Sequence, residues 1–591
     1  MPVYLATTAL RDFWGPEDSE TVLLGDWCLP DPEFSYRGKM KILPALWNDA
    51  DQVTKAYYEC RELYHIYLTA VTNHLNATHM INKNTKYYEI ILGNWLLIYI
   101  HQIYEKFHSL EQAFSNLHEI QTLLLDPEDE VIPQDIGDFY RFVHFDSYQL
   151  QLYSRVCRGM KFSFPSKKCP TMQKIPIRQS APLTKRSMIS AKIATLFRWL
   201  SAFRGKKTVT LTEPYFCYQE HWKILSLILR SRFLFILDNF RYHNESNTRP
   251  DYSARAVKCG PSSTSLQNVL SESIMRDLPI IFLEGFTEYR DWIRKLPVKK
   301  SKIFCSAQGL HTLMPYKFYT AEYMGQSKTA YFQHGGGYGS SLVQFAQDYE
   351  SSASSVFLTW GWDKPPNSLP LPHPKICCAK KSDYQKNSTF LFLMTGTPRY
   401  AVCFHYQYHS SNYFIHQNQL IDFFRLIIDN IEITVRKRPA EKKMLWWETE
   451  PILKKKYPHL KFQNPSIPFE TSIDSAKCVI TASLTTVHLE TMARNIPTVI
   501  FFDPSIYRFT PEMDRFIQRM RSLGIVHDSG ASAAAHINRF HGRMSEWWEQ
   551  SDVQLLREEF VDQYARQCPD WQNEWIRFFR KMLKQGLPEN D

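Results

Sequence analysis

The sequence predicts an α/β protein of two domains, each built on a mostly parallel sheet, with a cleft between them. Three observations carry this prediction. Short apolar runs rich in β-branched and aromatic residues alternate with longer amphipathic segments, as strand–helix crossovers require. The alternation falls into two blocks, parted by a stretch holding Pro365, Pro366, Pro370, Pro372 and Pro374, which is a linker composition. A chain of 591 residues also exceeds what one hydrophobic core organises.

In the first block the strand candidates are VYLATTA (3–9), TVLLG (21–25), TVTLT (208–212), FLFILD (233–238), PIIFLEG (279–285), KIFCSA (302–307), TAYFQH (329–334) and SVFLTWG (355–361). Most are apolar on both parities, which suits strands covered on two faces. Residues 51–76 read as a long helix, with Val53, Ala56, Tyr57, Leu63 and Tyr64 at helical spacing. In the second block the candidates are TFLFLMT (389–395), ITVRKR (433–438), LKFQ (460–463), KCVITA (477–482) and PTVIFFD (497–503). The chain therefore divides into an α/β domain over 1–362 with helical insertions, a linker over 363–387, an α/β domain over 388–540 and a helical tail over 541–591. In the tail, Trp547, Trp548, Leu555, Leu556, Phe560 and Tyr564 follow helical spacing.

Composition narrows the function classes. Hydrophobic residues make up 44% and charged residues 22%, the balance of a globular protein. The net charge of +10 favours acidic partners: nucleotide phosphates, anionic lipid or nucleic acid. No nucleic-acid-binding module is present, so nucleic acid is not an expected partner. The start, MPVYLATTAL, shows no secretory leader, and no apolar run reaches the roughly 20 residues of a spanning helix. Ile90–Tyr104 comes nearest. The 12 cysteines lack metal-type pairing, which fits reduced thiols and a cytoplasmic protein. No HExxH, DxD or histidine–cysteine cluster emerges, so neither a metal nor a cofactor is expected. From Ser147 to Thr212 there is no acidic residue, and residues 188–204 have a basic amphipathic pattern. A solvated loop with a packed helix is the plainer reading of 147–212. The functional one is attachment to the anionic inner face of a membrane.

The residues that carry chemistry cluster after strands. ITASLTTVHLETMARNIPTVIFFDP (480–504) reads as strand, Ser/Thr-rich turn, helix and strand. Ser483, Thr485 and Thr486 can cap that helix, whose exposed amides make an anion site. Glu490 lies four residues on, where a carboxylate can accept from ribose hydroxyls; plain capping and a surface glutamate form the alternative. LMTGTPRY supplies Thr395, Gly396, Thr397 and Arg399 for phosphate, or a solvated turn. Arg436, Lys437 and Arg438 end another strand, and alternation lets at most two of them face one way. In YFQHGGGYG, His334 is a candidate general base or anion-stabilising group, and Gly335, Gly336 and Gly337 a backbone cradle; the alternative is a structural turn. Thr7 and Thr8 follow the first strand. Asp26 is a helix cap first and a catalytic carboxylate second.

Taken together, LATTALRDFW, LLGDWC, GNWLLIYIH, QHGGGYG, WGW and TTVHLETMARNIPTVIF resemble a bacterial family of transferases from surface-carbohydrate loci. The resemblance runs from Tyr4 to Asp503. It implies a GT-B-like glycosyltransferase of two Rossmann-like domains, acceptor-side first and nucleotide-donor-binding second. It also implies donor binding by Ser483, Thr485, Thr486 and Glu490, with His334 facing the reaction centre. VRKRPAEKKMLWW is more basic than the family pattern, and WNDAD lacks its arginine. The expected function is metal-independent transfer of a sugar, an acidic sugar among the candidates. The donor is nucleotide-activated, and the acceptor a surface glycan or lipid-linked molecule. The alternatives are a polyol phosphotransferase of the glycerophosphotransferase type and a non-catalytic nucleotide- or glycan-binding scaffold.

Overall fold

The computed structural model describes residues 2–31, 40–172, 208–212, 234–237, 248–295, 301–364, 366–377, 379, 381–437 and 446–585. Arg438 and the 188–204 pattern lie outside the described residues.

Among the described residues the first block holds two main parallel sheets where the sequence suggested one, besides a two-stranded parallel pair of Leu124–Leu125 with Ser166–Lys167. The smaller contains β1 (Val3–Ala6), β2 (Thr21–Leu23), β3 (Lys41–Ile42) and β4 (Ile120–Gln121), in the order β3-β2-β1-β4. The larger contains β5 (Thr208–Thr212), β6 (Leu234–Leu237), β7 (Ser301–Ser306), β8 (Lys328–Phe332), β9 (Val356–Thr359) and β10 (Ser368–Pro370). Its order is β10-β9-β8-β7-β5-β6, parallel throughout. The second block's main sheet is parallel and contains β11 (Thr389–Met394), β12 (Ile433–Lys437), β13 (Lys461–Phe462), β14 (Ala476–Thr481), β15 (Thr498–Phe501) and β16 (Val526–His527). They lie in the order β13-β12-β11-β14-β15-β16. Parallel strands need crossovers, and helices such as Met314–Tyr323 between β7 and β8 and Ser410–Leu426 between β11 and β12 supply them.

Two stretches differ from the sequence reading. PIIFLEG is not a strand: Ile280–Phe282 form a 3-10 turn, and the Ile280 and Ile281 amides donate to Pro133 and Gln134 carbonyls. A short, fully buried apolar run carries no periodicity to separate the two outcomes. The 363–387 stretch is more than a connector, because β10 lies within it and pairs with β9.

Two long helices sit over the first block. α1 (Ala50–His79) begins at Asp49, whose carboxylate accepts from the Asp51 and Gln52 amides. It ends at Met80 in the left-handed region, φ 52°. α2 (Thr85–Asn116) contains the Ile90–Tyr104 run and is buried over most of its length. A helix apolar on all sides belongs inside a core. Its polar groups find partners there: Gln102 donates to the Ala401 and Val402 carbonyls, and His101 accepts from the Phe404 amide. No helix among the described residues is long and apolar enough to cross a membrane.

The start of the acid-free stretch is neutralised from elsewhere in the chain. On α3 (Asp146–Gly159), Arg155 pairs with Asp277 at 2.9 Å and Glu130 at 2.7 Å, and Arg158 with Glu130 at 2.8 Å. Those arginines hold the fold together and do not form an open basic surface.

The tail returns to the first block. Its last helix, Trp571–Lys584, lays Trp571, Trp575, Ile576, Phe578, Phe579 and Met582 on Val209, Ile303, Cys305, Phe332 and Leu358 of the six-stranded sheet. Trp575 Nε1 donates to the Pro372 carbonyl at 2.7 Å.

Burial also stores acid sensitivity. It pushes His144, His311, His334, His409, His416 and His488 down to about 4, and His101 and His536 to about 3, from 6.5. The folded values lie below the unfolded ones, so the unfolded chain binds more protons once the pH drops below about 6.5. Stability present at neutral pH is then lost as the pH falls toward 4. Calorimetry should show Tm dropping steeply between pH 7 and 4.5, with several protons taken up on unfolding; a flat Tm would contradict this.

Candidate active site

β8 ends at Phe332, and Gln333 braces the turn beyond it. The side-chain carbonyl oxygen Oε1 of Gln333 accepts from Trp360 N at 3.1 Å and Trp362 Nε1 at 2.8 Å, while Nε2 donates to Gly335 O at 2.9 Å. The turn needs its glycines for two reasons. Gly337 and Gly339 adopt φ of 87° and 70°, and a side chain at Gly339 would enter the Trp362 ring. Gly336 meets the second block's backbone: a Cβ there would lie 2.7 Å from Thr485 C and 2.8 Å from Thr486 N. Its amide donates to Thr486 Oγ1 at 2.9 Å. The seam continues through Leu342 N to Arg508 O at 3.0 Å and Thr510 N to Ser340 O at 2.9 Å.

On the second-block side, β14 leads into α4 (Thr486–Ala493), capped by Thr485, which accepts from Val487 N at 3.3 Å. The hydroxyls of Thr395 and Ser483 lie 3.4 Å apart, joining the turns after β11 and β14. The helix-start motif, the glycine turn and Thr395 therefore converge as the sequence suggested.

Behind the glycine turn lies a buried polar cluster. Glu350, on the helix Phe345–Ala353, is fully buried. Tyr338 Oη lies 3.0 and 3.2 Å from its two oxygens and 3.3 Å from His334 Nδ1. His334 Nδ1 is 3.9 Å and His311 Nε2 2.6 Å from Glu350 Oε1, and the two imidazoles meet edge to face at 4.9 Å. The His311 contact is close but poorly aligned, so Nε2 gains no hydrogen bond. Lys317, also buried, donates to Leu310 O at 2.8 Å and Tyr349 Oη at 2.9 Å.

Desolvation dominates the electrostatics of this cluster. It pushes the Glu350 carboxyl up to about 8, against the pull of His334, Tyr338 and Lys317. It pushes His334 down to about 4, against Glu350. It pushes Lys317 well below the ordinary lysine range, again against Glu350. His311, His334 and Glu350 place one ligand atom each within 4.8 Å of one another, the donor chemistry of a metal centre.

Several expected site residues are committed elsewhere. Arg399 is buried against Asp146 of the first block, so its guanidinium is not a phosphate fork. Thr397 is buried in a short ladder with Trp447. Gly396 is exposed beside them. Arg436 donates to Gln463, Ser472 and the Ile467 carbonyl, which anchors the next loop instead of a ligand. Glu490 is buried and pairs with Lys375 of the connecting stretch at 2.7 Å, so ribose has a competitor there. Thr7 and Thr8 are buried, their carbonyls taken by Trp27 and Trp14. Ala9 bonds Asp146, which ties this strand end to the Arg399 contact. Asp26 opens the single 3-10 turn Asp26–Cys28 after β2, on the small sheet.

Sequence reasoning does not single out His311, Lys317 or Glu350, because no spacing links them. Tyr338, inside the glycine motif, was the one available signal.

A family model described as LIC12162 family transferase matches residues 3–579. The chain belongs to this family. The motif resemblance and the transferase class it implied therefore stand. No curated protein matches the sequence. Among solved structures, the chain is similar to TarM at 8% identity and TM-score 0.32, covering 50% of this chain and 58% of that one. It is similar to the wall teichoic acid polymerase TagF at 9% identity and TM-score 0.32, covering 68% and 96%. For MurG of Acinetobacter baumannii the values are 10%, 0.28, 64% and 99%. Likeness at this level bears on neither donor nor acceptor.

Within this LIC12162 family chain, the seam gives a direct prediction. Gly336→Ala forces backbone against backbone and should cost about 1–3 kcal/mol, read as a lower urea midpoint with an unchanged m-value. Gly335→Ala, where only Thr486 Oγ1 comes within 3.4 Å, should cost far less. Equal effects would contradict the contact.

Proposed function

We propose that the protein is a glycosyltransferase acting where the glycine turn meets the start of α4. The observation that supports it is the hydrogen bond from Gly336 to Thr486, which sets His334 beside a helix start able to hold an anion. A nucleotide-activated sugar would place its phosphates near Ser483, Thr485 and the α4 amides, with the Glu490–Lys375 pair toward the ribose. An acceptor hydroxyl attacks the anomeric carbon, and the bond from that carbon to the phosphate oxygen breaks. The nucleoside diphosphate leaves with the electron pair, and the hydroxyl proton passes to His334. Burial keeps the imidazole neutral near pH 7, so it can take that proton.

The acceptor we infer is a surface glycan or its lipid-linked precursor, worked on at the cytoplasmic side, where nucleotide donors are made. Any membrane contact would rest on 173–207, outside the described residues.

A thermal-shift screen with CMP, CDP, UDP and GDP tests the reading. One nucleotide should raise Tm, by about 2.7 kcal/mol of stabilisation at 100-fold over Kd. His334→Ala should lower kcat about 10²–10⁴-fold and leave that shift in place. No shift with any nucleotide, or an active His334→Ala enzyme, would sink it. A phosphodiester in the product would replace sugar transfer with polyol phosphate transfer.

A further inference from the structure

Glu350 has no role in the motif reading, yet it is the most completely enclosed acid beside the seam. A lone buried carboxylate is costly, and an apolar residue would pack there more favourably. Its partners are arranged around one imidazole. Tyr338 Oη spans the gap, 3.0 Å from Glu350 Oε2 and 3.3 Å from His334 Nδ1. Tyr338 itself belongs to the glycine turn, between Gly337 and Gly339, both in the left-handed region. The backbone that brings Gly336 to Thr486 therefore also sets the tyrosine between acid and base.

We propose that Glu350, acting through Tyr338, is the positioning residue of His334: it orients the imidazole and balances the charge formed when the ring takes a proton. The inference rests on the reading of His334 as the base. In the step, the acceptor O–H bond breaks and an N–H bond forms on His334. The proton stays on the ring, and the ionised Glu350 compensates it across Tyr338.

The groups facing this pair are few. His311, Lys317 and Tyr338 face Glu350, and its charge also reaches Tyr140, Tyr331 and Tyr349. His334 faces Glu350, His311 and the Ala307 carbonyl. The tyrosines are all raised above their ordinary value, so they stay silent below pH 10. The histidines titrate well below 7. Burial displaces Lys317 downward as well, so Glu350→Gln is the change that assigns a step between pH 7 and 9 to the carboxyl, which burial has pushed up to about 8.

The test uses the full chain labelled with 13C-histidine, the His334 resonance being assigned by its loss in His334→Asn. That resonance should move with a midpoint near pH 8, and the step should vanish in Glu350→Gln, an isosteric change. Tyr338→Phe should keep the step but shrink it. In turnover, kcat should rise through the same pH range in the wild type. Glu350→Gln should lose that rise while the donor KM stays within about 2-fold. A step that persists in Glu350→Gln, or no step at all, would overturn the proposal. So would a stoichiometric zinc or manganese ion that leaves with Glu350→Gln, since the trio would then be a metal centre. The NMR step needs no substrate. If it appears while no nucleotide binds, the pairing stands and the reading as a nucleotide-dependent glycosyltransferase falls.

Discussion

The structure depends on one close approach, the Gly336 backbone against Thr485 and Thr486. Close-packed interiors respond to a single added methylene, and here the added atom would strike backbone, which cannot rotate away. That contact sets the register between β8 of the first block and α4 of the second. His334, two residues before Gly336, inherits its position from it, as does Tyr338 two residues after.

Charge ties the blocks together around that point. Arg399 of the second block is buried on Asp146 of the first, Arg508 reaches Asp51 at 2.8 Å, and Lys375 of the connector reaches Glu490. Removing one partner of the buried pairs strands the other, so these contacts specify the arrangement more than they stabilise it. The last helix closes the set, because the chain that began in the first block ends on its sheet. The residues most attractive as phosphate ligands in the sequence, Arg399 and Arg436, thus serve the architecture. The seam itself is built from backbone, with the amides of the α4 start on one side.

The two-block plan was legible because parallel strands buried on both faces announce themselves as apolar runs, and the proline-rich stretch falls between them. The turn-and-helix at 483–490 was legible because capping chemistry is local. The split of the first block into separate sheets was not, since pairing partners are set by tertiary packing and not by strand composition. PIIFLEG misled because its apolar residues Ile280, Ile281, Phe282 and Leu283 are all buried, which erases the period that separates strand from 3-10 turn. In the site, His334 and its glycines were readable as a motif. Glu350, His311 and Lys317 were not, because a buried acid and its partners come from separate helices and only the fold brings them together. The arginines misled for a related reason: a basic residue after a strand looks the same whether its partner is a ligand or Asp146.

Hydrogen exchange by mass spectrometry, with and without the nucleoside diphosphate that raises Tm, tests the central claim that turn and helix form one site. Ligand should slow exchange together in 334–342 and 483–490, two segments far apart in sequence and joined at Gly336. Protection confined to one of them, or placed elsewhere in the chain, would contradict a shared site at the seam.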